Sequence, residues 1–204
     1  MHFEARIPLI LELGFREDGI DALKSYVDLL WKSNEELNLI SRKMTFNELI
    51  DNHIIDGLLP LKMFPKEVTN VADFGSGGGI PGVVYAIHFS KIAFTLFEKS
   101  AKKREFLEGC HAIASNLKIQ GEIPPHLTDY DLVTARAFKP LDVILDISRN
   151  YYKQGGHYFL LKGRREKIDE EIELSKKKFK DLKIAIHPLK SPILEVERHL
   201  VTNL

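Results

Sequence analysis

The tightest constraint on this chain is a short glycine run. From Asp73 to Gly82 it reads Asp-Phe-Gly-Ser-Gly-Gly-Gly-Ile-Pro-Gly, so five of the eight residues from Gly75 onward are glycine. Ahead of the run, Val71-Ala72-Asp73-Phe74 reads as a short buried strand. Behind it, an apolar helix is predicted to about His88, with Pro81 in its first turn, where a missing N–H costs nothing. Glycines let the backbone turn tightly after a strand and let a ligand come close to it. In an open α/β sheet the ligand crevice lies there, outside the carboxyl ends of the strands.

The rest of the chain supports such a sheet. Ile92–Glu98, Leu117–Gln120, Asp131–Ala135 and His157–Lys162 read as strands. Between them lie helical stretches: one after Ser100, a candidate cap, to about Ser115, then Leu141–Tyr152 and Glu166–Phe179. Strands alternating with helices of this length imply a parallel sheet with crossover helices on both faces, a doubly wound α/β fold. Two last strands, Leu182–His187 and Glu195–Thr202, are joined through prolines without a helix, which predicts an antiparallel pair at one edge. Ahead of the sheet, Ile20, Leu23, Val27, Leu30 and Trp31 mark an amphipathic helix, and Thr45-x-x-Glu48 is a capping box opening another that ends near Pro60. The expected division is a helical extension over residues 1–65 packed on a Rossmann-like domain over 66–204.

At 204 residues and 44% hydrophobic, the chain can bury one sizeable core. No apolar run is long enough to span a membrane, and the N-terminal stretch, with Glu4, Arg6 and Glu12, does not read as a signal peptide. The lone Cys110 excludes an internal disulfide or a cysteine-rich zinc site and reads as a small buried side chain. A cytoplasmic protein, monomeric and without a metal, is expected. Basic and acidic residues balance at 29 each, which argues against non-specific coating of nucleic acid. Local basic excess does occur, at Lys99, Lys102, Lys103 and Arg104 and again between Tyr151 and Lys183. Either is a solvated helix face or a footprint for a polyanion.

Two ligands fit the glycine run. Gly77-x-Gly79-x-x-Gly82, with Glu98 downstream, satisfies the dinucleotide fingerprint. Asp73-x-Gly75-x-Gly77-x-Gly79 is equally the pattern of S-adenosylmethionine-dependent methyltransferases. A carboxylate from Asp73 at the lip of the loop would repel a pyrophosphate but favour a sulfonium and an ammonium. Glu98 can hold a ribose in either case.

Several segments, in order, resemble the RsmG (GidB) family of guanine-N7 methyltransferases that act on bacterial 16S ribosomal RNA. Trp31…Asn34 with Leu37-Asn38-Leu39-Ile40-Ser41 is similar to the family's "WN…INLT", and His53-Ile54-Ile55-Asp56-Gly57 to "HILDS". Gly75–Gly82 resembles "GSGAGFPG", Glu98-Lys-Ser…Lys103-Arg104…Phe106-Leu107 resembles "DS..KR..FL", and Asp131–Ala137 resembles "DVVTARA". Gly155-Gly156 with Leu161-Lys162-Gly163 is similar to "GG…LKG", and Glu197–Val201 to the last strand. The resemblance implies a class I methyltransferase fold and S-adenosylmethionine as cofactor. It also implies 16S rRNA, free or in a small-subunit assembly intermediate, as partner. It places Asp73, Gly75, Gly77, Gly79, Ile80, Glu98, Glu122, Ile123 and Arg136 at the cofactor, Arg136 as the catalytic residue, and Lys162, Arg164 and Arg165 at the RNA. His53 reads either as a core histidine or as a site residue. The chain departs from the family at Gly121-Glu122-Ile123-Pro124, where "GRAE" is usual. Ile123 can still offer its N–H to an adenine, but Pro124 has none.

Guanine N7 carries a free lone pair and needs no general base, and the sequence shows no Ser-His-Asp or metal-ligand constellation. Catalysis would be alignment of N7, methyl carbon and sulfur, with a donor to guanine O6 from Arg136 and phosphate contacts from Lys162, Arg164 and Arg165. N7 is out of reach in an A-form duplex, so the target should sit in a loop or be splayed out. Two alternatives remain: an NAD(P)-dependent oxidoreductase using the same loop, and a non-catalytic relative that binds RNA or cofactor.

Overall fold

The computed structural model describes residues 2–203. Seven strands form one sheet: β1 (Asn70–Phe74), β2 (Ala93–Phe97), β3 (Leu117–Gln120), β4 (Leu132–Arg136), β5 (His157–Lys162), β6 (Ala185–Leu189) and β7 (Arg198–Thr202). Their order is β3-β2-β1-β4-β5-β7-β6. The first five run parallel, β7 lies antiparallel to β5, and β6 lies antiparallel to β7. This is the doubly wound sheet with an antiparallel edge that the alternation predicts. The strand order reverses between β1 and β4, so a crevice opens at their carboxyl ends.

The central strands are apolar on both faces because both are covered. Alternate residues divide between two buried clusters. Val71, Phe94, Leu96, Leu132, Phe159 and Leu161 face one layer, together with the N-terminal helices. Ala72, Phe97, Val133, Tyr158 and Leu160 face the other, under the C-terminal helices. Of the polar exceptions, the buried Thr134 hydroxyl is satisfied locally, donating to the Phe159 carbonyl at 3.0 Å.

The first layer begins with α1 (His2–Glu12), an element the sequence reading passed over, and continues with α2 (Ile20–Leu37). Arg6 of α1 grips both oxygens of Asp51 at 2.8 and 2.9 Å. The Thr45–Glu48 capping box is present and opens α3 (Phe46–Leu49). That helix runs on into a π-helical stretch (Ile50–Ile55) and a last α-turn, α4 (Asp56–Leu58). The remaining helices are α5 (Gly82–His88), α6 (Ala101–Gly109), α7 (Leu141–Ile147), α8 (Arg149–Lys153) and α9 (Arg165–Lys178).

Some boundaries differ from expectation. Pro81 caps α5 from outside its first turn, and its carbonyl accepts from Tyr85 N. Ser100 holds the cap position of α6 without a side-chain cap bond. The helix expected over Leu141–Tyr152 breaks at Ser148, whose hydroxyl bonds back to the Ile144 carbonyl, a competition that bends helices. The two edge strands are shorter and later than expected, because Phe179 and Leu182 are packed into the core before β6 begins.

Candidate active site

The glycine loop leaves β1 with three left-handed residues in alternation: Gly75, Gly77 and Gly79 have φ of 66°, 56° and 91°. Each would be strained as any other residue. Gly75 N and Ser76 N donate to the Phe97 carbonyl at 2.9 and 3.1 Å, which stitches the loop to the end of β2. Glu98, just past β2, accepts from Gly77 N at 3.0 Å and from Ser100 N at 2.9 Å. From behind, the buried Tyr26 of α2 donates its hydroxyl to the Gly78 carbonyl at 2.5 Å. The helical segment therefore holds the loop in shape, a role that sequence patterning did not reveal.

A Cβ on Gly79 would lie 2.5 Å from Val83, and one on Gly82 would lie 2.4 Å from Leu96. Those two glycines serve packing. Around Gly77 the nearest atom to such a Cβ is 3.8 Å away, so its open side faces the crevice. A backbone left bare on one side, next to a carboxylate, fits a nucleoside ligand.

Asp73 is not at the lip. It is 1% exposed, beneath the start of α5, where a Cβ on Gly82 would touch its carboxylate at 2.6 Å. Neither carboxylate oxygen has a hydrogen-bond partner. Burial, with the charge of Glu98 adding to it, pushes its pKa up to about 7. The expected direct contact with a cation is therefore not one this buried carboxyl can make. Ile80 is also buried and packs against Gly57. At the departing segment, Glu122 is exposed with Lys99 at 3.7 Å, and Ile123 packs on the second core cluster.

Arg136 ends β4 and turns toward the helical layer. Its Nη1 meets Asp56 Oδ2 at 2.6 Å and the Asn52 carbonyl at 3.4 Å, while Nη2 contacts His53 Nδ1. The other oxygen of Asp56 accepts from Arg198 Nε of β7 at 2.5 Å. One buried carboxylate thus spans two guanidiniums from different strands. The π-helical stretch brings Asn52, His53 and Asp56 to this point, a typical use of such turns. An arginine can only donate, so His53 Nδ1 accepts and the ring proton sits on Nε2. Burial, reinforced by Arg136 and Arg198, lowers the His53 pKa to about 4, which keeps the ring neutral. Burial also lowers the pKa of Arg136, opposed by Asp56.

A cavity of about 620 Å³ lies beside this cluster, lined among others by His53, Arg136, Phe138, Lys162, Glu171 and Arg198. Phe138, which sequence reasoning missed, lines it and also covers the glycine loop: a Cβ on Gly75 would lie 2.1 Å from its ring. Its only advance signal was an aromatic two residues after Arg136. Of the residues expected at the RNA, Lys162 is turned inward. Its ammonium donates to Glu171 Oε2 and to the Lys139 carbonyl, both at 2.8 Å, and its side chain is 13% exposed. Arg164 and Arg165 are exposed at the start of α9, Arg165 pairing with Asp169. Among the described residues no cluster of His, Cys, Asp and Glu could hold a metal ion, and no helix is long and apolar enough to cross a membrane. Cys110 is buried.

Comparison with known proteins agrees with this geometry. The family model GidB, described as rRNA small subunit methyltransferase G, matches residues 19–201. A protein named ribosomal RNA small subunit methyltransferase G 1 from Bdellovibrio bacteriovorus is 66% identical over 98% of both chains. Ribosomal RNA small subunit methyltransferase G of Borreliella burgdorferi is 34% identical over 92% of this chain and 91% of its own. Among solved structures, precorrin-6y C5,15-methyltransferase from Geobacter metallireducens aligns with a TM-score of 0.56 at 14% identity, covering 83% of this chain and 94% of that one. Fibrillarin from Aeropyrum pernix, solved with bound S-adenosyl-L-methionine, aligns with a TM-score of 0.51 at 15% identity, covering 73% and 72%. These matches favour methyl transfer over hydride transfer for the glycine loop.

Proposed function

The chain belongs to the GidB family of small-subunit ribosomal RNA methyltransferases, and on that premise we propose that it methylates N7 of a guanine in a loop of 16S rRNA. The reaction takes place in the cytoplasm, on rRNA that is free or in an assembling small subunit, and the enzyme acts as a monomer. S-adenosylmethionine is the methyl donor; bound at the loop, it supplies a methyl group on a sulfonium that any well-aligned lone pair can take.

The residues present fit that cofactor. The bare side of Gly77 and the Glu98 carboxylate would receive the ribose, with Gly75 and Gly79 shaping the turn and Ile80 backing it. Ile123 N would face the adenine, with Glu122 beside it. Asp73, protonated in the folded chain to about pH 7, lies beneath the start of α5 and backs the loop from below.

What the chain does for the target follows from the cavity. Transfer of the methyl group to N7 would leave the positive charge on the purine. Arg136, held by Asp56, offers an N–H to O6 and so orients the base for attack. His53 stays neutral, so it removes no proton and adds no positive charge beside two guanidiniums. Phe138 offers a ring face on which a splayed-out base stacks. Arg164 and Arg165 meet the flanking phosphates; the Arg165–Asp169 pair is exposed and easily exchanged.

The observation that carries this reading is the seating of Phe138, one side on the glycine loop and the other on the Arg136 cavity. Donor and acceptor pockets thus share a wall. Isothermal titration with S-adenosylhomocysteine and with NADH tests it: the first should bind and the second should not. Binding of NADH alone would overturn it.

A further inference from the structure

Resting on that reading of the reaction, we propose that Glu171 selects guanine by accepting hydrogen bonds from N1–H and the N2 amino group of the target base. Glu171 lies on α9 and is 8% exposed, in the wall of the same cavity that holds Arg136. Its Oε2 is fully engaged, accepting from Leu141 N at 2.9 Å and from Lys162 Nζ at 2.8 Å. Its Oε1 accepts no hydrogen bond among the described residues. It is also not one of the side-chain atoms buried without a partner, so it is open to the cavity. Here one oxygen is anchored from two sides and the other is left for something that enters the cavity.

The strand ends put the groups in a useful order. The glycine loop follows β1, Arg136 ends the neighbouring β4, and Lys162, which pairs with Glu171, ends β5 one register step further along, where Arg136 pairs with Leu161. Guanine presents its own groups in a matching order along one edge: N7, then O6, then N1–H, then the N2 amino group. With N7 toward the methyl donor, O6 meets Arg136, which only donates, and the two N–H groups meet Glu171, which only accepts. Adenine inverts both contacts. Its N6 amino group would face the guanidinium and its N1 lone pair would face the carboxylate. Lys162 then serves the base pocket by neutralising and fixing Glu171, which explains why it points away from solvent.

Inosine keeps O6 and N1–H but lacks the N2 amino group, so it removes one of the two contacts. The test uses 16S rRNA fragments carrying guanosine, inosine or adenosine at the target position. On these, kcat/KM should fall about tenfold from guanosine to inosine, the scale of a single lost polar contact, and much further for adenosine. In Glu171→Gln the amide oxygen can still accept from Leu141 and Lys162. Its guanosine rate should fall at least tenfold, its guanosine-to-inosine ratio should collapse toward one, and its affinity for S-adenosylhomocysteine should stay within about twofold. Equal losses on guanosine and inosine would mean a structural role and overturn the proposal. Should the variant fail to fold, equal wild-type rates on guanosine and inosine would overturn it alone. A wild-type protein that methylates none of the fragments would instead refute the reading of the reaction itself.

Discussion

Replacing Arg136 with alanine separates chemistry from cofactor binding, and the structure sets the size of each effect. The side chain is 15% exposed, and its polar partners are Asp56, Asn52 and His53, none of them in the glycine loop. Affinity for S-adenosylhomocysteine should therefore change less than about threefold. Losing the donor that positions the base typically costs about 100-fold in kcat, or about 3 kcal/mol. Stability should suffer as well. Removing one member of a buried pair costs roughly 3–5 kcal/mol when the other is left alone, but Asp56 keeps Arg198, which is 31% exposed. A loss of about 2 kcal/mol is the better expectation, or roughly 4–8 °C in Tm for a chain of this size. Arg136→Lys should restore part of the stability but little of the rate, because a lysine lacks the planar fork that bridges partners. Single-turnover methyl transfer, titration with S-adenosylhomocysteine and thermal melts together measure all three. Equal losses of turnover and cofactor affinity, or an unchanged turnover, would refute the assigned role.

Three further outcomes follow from the same geometry. Gly77→Ala meets no neighbour closer than 3.8 Å, so its melt should fall only by the left-handed strain, about 1–2 kcal/mol, while cofactor affinity drops at least tenfold; unchanged affinity in a titration would place the ligand elsewhere. The Asp73 carboxyl stays protonated in the folded chain to about pH 7 but ionises near 3.8 when unfolded. The folded state thus binds more protons across that window, and stability falls as pH rises through it, by up to about 4 kcal/mol. Asp73→Asn should melt like the parent near pH 4 and progressively higher than it by pH 8; parallel curves would contradict the buried, unpartnered carboxyl. Nitrogen-15 NMR of His53 at pH 6 should show a neutral ring with its proton on Nε2, and a charged ring would break the account of the Arg136 cluster.

Local pattern revealed the sheet and little of what surrounds it. β5 falls on the stretch expected from its apolar run, and the reversal of strand order around β1 follows from alternating elements. The loop was legible because only glycine tolerates three left-handed turns so close together. The cluster that positions Arg136 was not. Asp56 lies 80 residues from Arg136 and 142 from Arg198, and a single sequence carries no signal for such pairings. The π-helical stretch that aims Asn52 and His53 is likewise silent, since a shift of one residue in the hydrogen-bond ladder leaves composition unchanged. Asp73 was read at the lip because its position after a strand gives no hint that α5 closes over it. Lys162 is expected at the RNA because nothing in the sequence marks its partner, Glu171, apart from the other acidic residues of a charged helix.

The most direct measurement is a map of N7-methylguanine in 16S rRNA from cells with and without the gene. The account predicts one N7-methylguanine, in a loop, that disappears on deletion and returns with the wild-type gene but not with Arg136→Ala. An unchanged map would contradict it.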